Sequence, residues 1–195
     1  MQMLPTHIVT ADQLTDGLYT GSVDLTAFNG HIEIAAGLGW VRFSGHVAAA
    51  GRIRALAGSG IEAGEGIKAG SGIEAGEGIK AGWGIKAGEG IKAGLGIEAG
   101  SGIEAGLGIE AGSGIEAGFS IAAPWVSAAL RIFVGLCLWR EPTPDEMQLR
   151  AELRGGVLAF GEHVPPITPL TEPDADAPLT GAEIAAVRAL LKQAA

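Results

Sequence analysis

From Ile61 to Ile121 an isoleucine stands at every sixth position, eleven in all, and most are framed as Gly-x-Gly-Ile-Glu/Lys-Ala. On an extended segment the isoleucine and the alanine two positions later share one side, and the Glu or Lys between them takes the other. Each hexad therefore offers the core one large and one small side chain. Helix is excluded, because alternate-residue glycine would cost roughly 1 kcal/mol per site in a helix interior. A fixed short period over a third of the chain predicts stacked, near-identical rungs. Glycine on both sides of the variable position lets the chain turn between strands. The predicted fold is all-β, a parallel β-solenoid of hexapeptide repeats over residues 57–123.

The charges between Ile and Ala set the expected coil. Three hexads per coil stack Glu62-Lys80-Glu98-Glu116, Lys68-Lys86-Glu104 and Glu74-Lys92-Glu110, with five opposite-charge neighbours and two like-charge ones. Two hexads per coil give three opposite and five like. Opposite charges on adjacent strands stabilise by a few tenths of a kcal/mol each. A three-sided coil of 18 residues is therefore expected. One signal disagrees: between the glycines, Trp83, Leu95, Leu107 and Phe119 recur every twelve residues. A two-sided coil would gather them in one stripe, and a three-sided coil would spread them.

The flanks are less regular. Residues 1–21 read as a loose or capping segment. Residues 22–56 read as irregular early coils, with β-like runs SVDLTAF, HIEIAA, WVRFSG and HVAAAGRIRALAG; terminal repeats of solenoids are usually atypical. Residues 124–163 are expected to be capping strands. There Leu130, Ile132, Val134, Leu136 and Leu138 alternate, and Arg154-Gly155-Gly156 between two apolar runs signals a hairpin. Residues 164–179 are Pro-rich and acidic, a linker. Thr180 and Glu183 form a capping box ahead of Ile184, Val187, Leu190 and Leu191, which predicts a helix over 180–195. That helix is short and needs a partner surface, either the solenoid or another subunit.

Composition narrows the function. With 33 Gly, no Gly-X-Y triplet and nine Pro among 195 residues, collagen is excluded. Net charge is −9, which disfavours direct binding to phosphate backbones and favours basic protein partners. Cys137 is the sole cysteine, so no intrachain disulfide forms, and its apolar run predicts a small buried side chain in a reduced, cytoplasmic setting. The chain start lacks signal-peptide features, and Pro124, Ser127 and Arg131 interrupt the longest apolar stretch, so no membrane span is expected.

The array holds no catalytic residue types. Left-handed β-helix acyltransferases resemble the chain in period, but their small core residue stands two before the aliphatic one, where this chain carries Ser, Glu, Trp, Leu or Phe. Its four histidines (His7, His31, His46 and His163) all lie outside the array. Threonine ladders for ice binding are absent over residues 57–122. His31 and His46 are expected at solvent or a turn rather than on a metal, and no phosphate-binding Gly-rich loop ends in Lys-Ser/Thr. The expectation is a protein with no enzymatic site, cofactor or metal. Its candidate partner-binding residues are the apolar set Trp83, Leu95, Leu107 and Phe119, with Glu98, Glu104, Glu110 and Glu116 as a uniformly acidic distal half.

The array, with RIFVGLCLWR, TPDEM and LRGGVLAFGEHV after it, resembles phage- and prophage-encoded proteins bearing GIxAG hexads. That resemblance implies an anti-defence role in the host cytoplasm, including anti-CRISPR inhibition of a basic, nucleic-acid-handling complex. The Gly-x-Ile spacing around residues 45–56 is also similar to bactofilins, which implies a self-assembling scaffold, with homo-oligomers through coil ends or the C-terminal helix.

Overall fold

The computed structural model describes residues 4–165. The chain winds as a three-sided parallel β-solenoid. Strands such as Ile79–Ala81, Ile85–Ala87 and Ile91–Ala93 each pair with the strand three earlier and three later. On face 1, Ile61, Ile79, Ile97, Ile115 and Ile132 stack in register. On face 2 the column is Val47, Ile67, Ile85, Ile103, Ile121 and Leu149. On face 3 it is Ile32, Ile53, Ile73, Ile91, Ile109, Val126 and Leu153. All eleven repeat isoleucines are buried, and the alanines fill the space beside them. The six-residue step therefore places every isoleucine on the axis, and three hexads close one coil.

Coil length tightens along the rod. Ile32 pairs with Ile53 and Val41 with Ile61, steps of 21 and 20 residues. The array then holds 18, as from Ile79 to Ile97, and the coil above it narrows to 17, from Ile115 to Ile132.

Turning freedom does not explain the array's glycines. No glycine from Gly60 to Gly118 has positive φ; those that do, such as Gly58 and Gly135, lie outside that run. A Cβ on Gly112 would instead sit 2.0 Å from the carbonyl oxygen of Gly94, one rung below. Real Cβ atoms do not approach backbone that closely, so glycine there is dictated by contact between rungs. The same corners carry ladder hydrogen bonds, such as Gly112 N–H to Ala93 O at 3.0 Å.

Several expectations for the flanks are corrected. SVDLTAF forms no strand; only Phe28 bridges, to Ala49. Arg154-Gly155-Gly156 is not a hairpin but lies inside one strand, Gln148–Phe160, which bends round the rod parallel to Ile121–Val134. Gly156, with φ +86, marks a coil corner. The alternation beyond Val134 also fails. Gly135, with φ +89, turns the chain outward, leaving Cys137 half-buried and Leu138 fully in solvent. The predicted linker beyond Pro165 and the C-terminal helix lie outside the described residues. Among the described residues no helix is long and apolar enough to cross a membrane.

Candidate functional site

The three corners are columns of their own, held by backbone hydrogen bonds between rungs. Corner 1, between faces 1 and 2, stacks Glu65, Trp83, Ser101 and Phe119. Corner 2, between faces 2 and 3, stacks Ser71, Glu89 and Leu107. Corner 3 stacks Glu77, Leu95, Ser113 and Leu130. As expected for a three-sided coil, the twelve-residue apolar set is spread over the three corners. Trp83 and Phe119 share corner 1, two rungs apart; Leu95 shares corner 3 with the exposed Leu130, also two rungs apart, and Leu107 stands on corner 2. An 18-residue coil sends a twelve-residue rhythm to successive corners.

Corner 1 is completed by residues that the sequence pattern missed. Between Val134 and Gln148 the coil carries an inserted loop at this edge. Trp139 folds from the loop onto the corner, edge-on to Phe119 with ring centres 6.1 Å apart. It also reaches over Gly100, where a Cβ would lie 3.1 Å from the indole. That places it one rung, about 4.8 Å, from the level of Trp83. The Arg140 guanidinium stacks 4.3 Å above the Phe119 ring. Trp83, Leu138 and Trp139 stay 60%, 96% and 58% exposed, whereas Phe119 is half-buried beneath its neighbours.

The loop is fixed by charge. Arg140 Nη1 donates to Glu146 Oε2 at 2.8 Å, and the Thr143 backbone N–H donates to the same oxygen at 2.9 Å. The Arg140 bond, followed by that from Thr143, holds the Glu146 carboxyl at about 2, well below its usual 4.5. Glu146 in turn raises Arg140. The sequence signal for this feature was Leu138-Trp139-Arg140 running into Glu141-Pro142-Thr143-Pro144, where two prolines end any strand.

The distal acidic surface is also corrected. Glu98 pairs with Lys80 at 2.8 Å, Glu104 with Lys86 at 2.8 Å and Glu110 with Lys92 at 3.2 Å, each from one rung to the next. These four glutamates divide among the faces, Glu98 and Glu116 on face 1, Glu104 on face 2 and Glu110 on face 3. Of these four, Glu116 alone has no ion pair among the described residues, and it stands above Glu98. Arg54 and Glu74 extend the face 3 ladder at 3.3 Å.

Beside each charge column runs a shallow groove floored by the glycines that precede the isoleucines. The face 1 groove, about 580 Å³, lies between Trp40 and Phe133, with Lys80, Glu98 and Glu116 along it. Trp40 lies flat on Gly60 and Gly78, so the chain's own ring fills part of that trough. His31 opens the strand His31–Ile34, where its Nδ1 accepts the Arg52 N–H at 3.0 Å. Among the described residues there is no group of three or more His, Cys, Asp or Glu that could hold a metal ion.

Compared with protein-family models, curated proteins and solved structures, the chain matches none.

Proposed function

We propose that the chain is a non-enzymatic, acidic binding rod whose corner 1 engages a protein partner. The observation that carries this reading is the exposure of two indoles, Trp83 and Trp139, with Leu138 on one edge of the rod, whereas the other apolar edge, Leu95 and Leu130 on corner 3, is aliphatic. Large exposed aromatics ringed by polar groups are typical of interaction hot spots. Arg140 and Glu146 hold the aromatic edge in place before any partner arrives, which lowers the ordering cost of binding.

The partner's chemistry follows from charge. A chain of net charge −9 attracts a basic protein and repels a bare phosphate backbone. Together with the GIxAG hexads, this supports a phage-type inhibitor that blocks a basic, nucleic-acid-handling host complex sterically. Charge mimicry contributes less than the sequence implied, since lysines on the neighbouring rung neutralise three of the four distal glutamates.

The test is quantitative capture from bacterial lysate with the full chain and with the W83A/W139A double variant. The expected result is one nucleic-acid-binding complex retained by the parent and reduced at least about ten-fold on the variant, since two hot-spot truncations cost 2 kcal/mol or more. Equal recovery by both proteins, or no specific partner, contradicts the reading. A second reading, a self-assembling scaffold, is favoured by one observation: the strand edge at the C-terminal end, which among the described residues is unpaired from Ala151 to Phe160. Light scattering of the full chain separates the two, with filaments supporting the scaffold and a monomer or closed dimer the inhibitor.

A further inference from the structure

The last described rung is the strand Gln148–Phe160, whose lower edge pairs with Ile121–Val134. Its upper edge pairs with Glu162–Val164 only over Gln148–Arg150. From Ala151 to Phe160 that edge has no strand partner among the described residues. Among the described residues two of the three core columns beneath it stay open as well. Leu153 stands above the fully buried Val126, and Leu158 above the fully buried Ile132, yet both leucines are only half-buried. The third column is closed differently: His163 lies over Leu149 and brings Nε2 to 2.8 Å from the Ala151 carbonyl oxygen.

The chain leaves this same end at Pro165 with thirty residues still to come. Over 180–195 the sequence places Ile184, Val187, Leu190 and Leu191 at helical spacing, behind the Thr180/Glu183 capping pattern. We propose that residues 180–195 of the same chain seat this apolar face on Leu153 and Leu158 and cap the C-terminal end of the rod.

The dimensions fit. A sixteen-residue helix is about 24 Å long, and one six-residue side of the coil is about 20 Å. Residues 166–179 in a Pro-rich extended form reach about 40 Å, ample to fold back over the end. A tethered segment also meets the surface at an effective concentration in the millimolar range. A second copy at micromolar concentration competes poorly with that. The cap would leave corner 1 free and remove the edge on which end-to-end assembly depends.

Hydrogen exchange on the full chain tests this, comparing the parent with the L190D/L191D variant, whose substitutions lie outside the solenoid and leave its folding intact. The expected result is exchange over Ala151–Phe160 at least about ten-fold faster in the variant, with the hexad array unchanged and the parent's protection independent of protein concentration. Equal exchange in the two proteins would overturn the proposal. So would protection that grows with concentration, which would assign the end to a second copy.

Discussion

The two ends of this rod solve the same problem in opposite ways. At the N-terminal end the chain folds back beneath its first coil. Thr6–Val9 pairs under His31–Ile34, and Leu14–Thr15 and Leu18–Tyr19 form a small antiparallel hairpin beside it. Val9 and Leu25 are buried there, and His7, Tyr19 and Phe28 pack edge to face around them. At the C-terminal end the described residues stop with half-buried Leu153 and Leu158 and an edge that is mostly unpaired among them. A parallel stack has no intrinsic terminus, so each end needs separate chemistry. In both, a histidine occupies the core column of the outermost rung, His7 under Ile32 and His163 over Leu149. Among the described residues the aromatic plug lies at the N-terminal end alone, and it makes the difference.

The largest contrast is expected from truncating one apolar residue at each end. Leu25→Ala empties a fully packed site and is expected to cost about 3 kcal/mol, whereas Leu158→Ala in the L190D/L191D background, with the C-terminal segment released, is expected to cost about 1 kcal/mol. Denaturation midpoints of the two variants provide the comparison, and equal losses would erase the distinction between plugged and open ends. Next in size, Tyr19→Phe removes a hydroxyl that lies 3.2 Å from both His7 Nε2 and the Val23 carbonyl oxygen. A loss of about 1 kcal/mol is expected, against a smaller one for His163→Ala at the exposed end. Between the ends, Lys86→Met breaks an open ion pair with Glu104 and is expected to change stability by no more than about 0.5 kcal/mol. A loss above 1 kcal/mol would show that the ladder of charges, rather than the core, holds the array.

The least global effect is pH-dependent and confined to the corner 1 loop. Glu146 has its folded-state pKa depressed from 4.5 to about 2. Its contribution to loop order is therefore complete above pH 4.5 and lost as pH falls towards about 2. Acid titration of tryptophan fluorescence is expected to show a Trp139 transition in that window, absent from Glu146→Gln. The same transition in both proteins would assign it to the rest of the rod.

Much of the fold was legible because the array repeats one rule many times. The isoleucine step fixed the core, and Lys80, Lys86 and Lys92 revealed the 18-residue coil through the glutamates one rung above. The rule ended where the repeats ended. Around Gly155-Gly156 a coil corner and a hairpin turn have the same local letters, and only the rung below decides between them. Beyond Val134 the alternation of Leu136 and Leu138 continued on paper while Gly135 had already left the rod. The candidate surface fared worse. Trp83 was visible as an anomaly in the repeat, but its neighbour Trp139 comes from a loop that no periodicity describes. The glutamates' lysine partners eighteen residues earlier were legible in the charge pattern, and they temper the acidity of the distal half.

Corner 1 depends on the register that brings Trp83 two rungs below Phe119. In a Cys137→Ser background, cysteines at Glu77 and Leu95 are one rung apart on corner 3, where the Leu95 N–H donates to the Glu77 carbonyl at 2.9 Å. Cα atoms on neighbouring strands lie within disulfide range. Mild oxidation is therefore expected to crosslink the 77/95 pair and leave a 77/89 pair reduced. Efficient crosslinking of 77/89 with none of 77/95 would mean a twelve-residue coil and would dismantle corner 1.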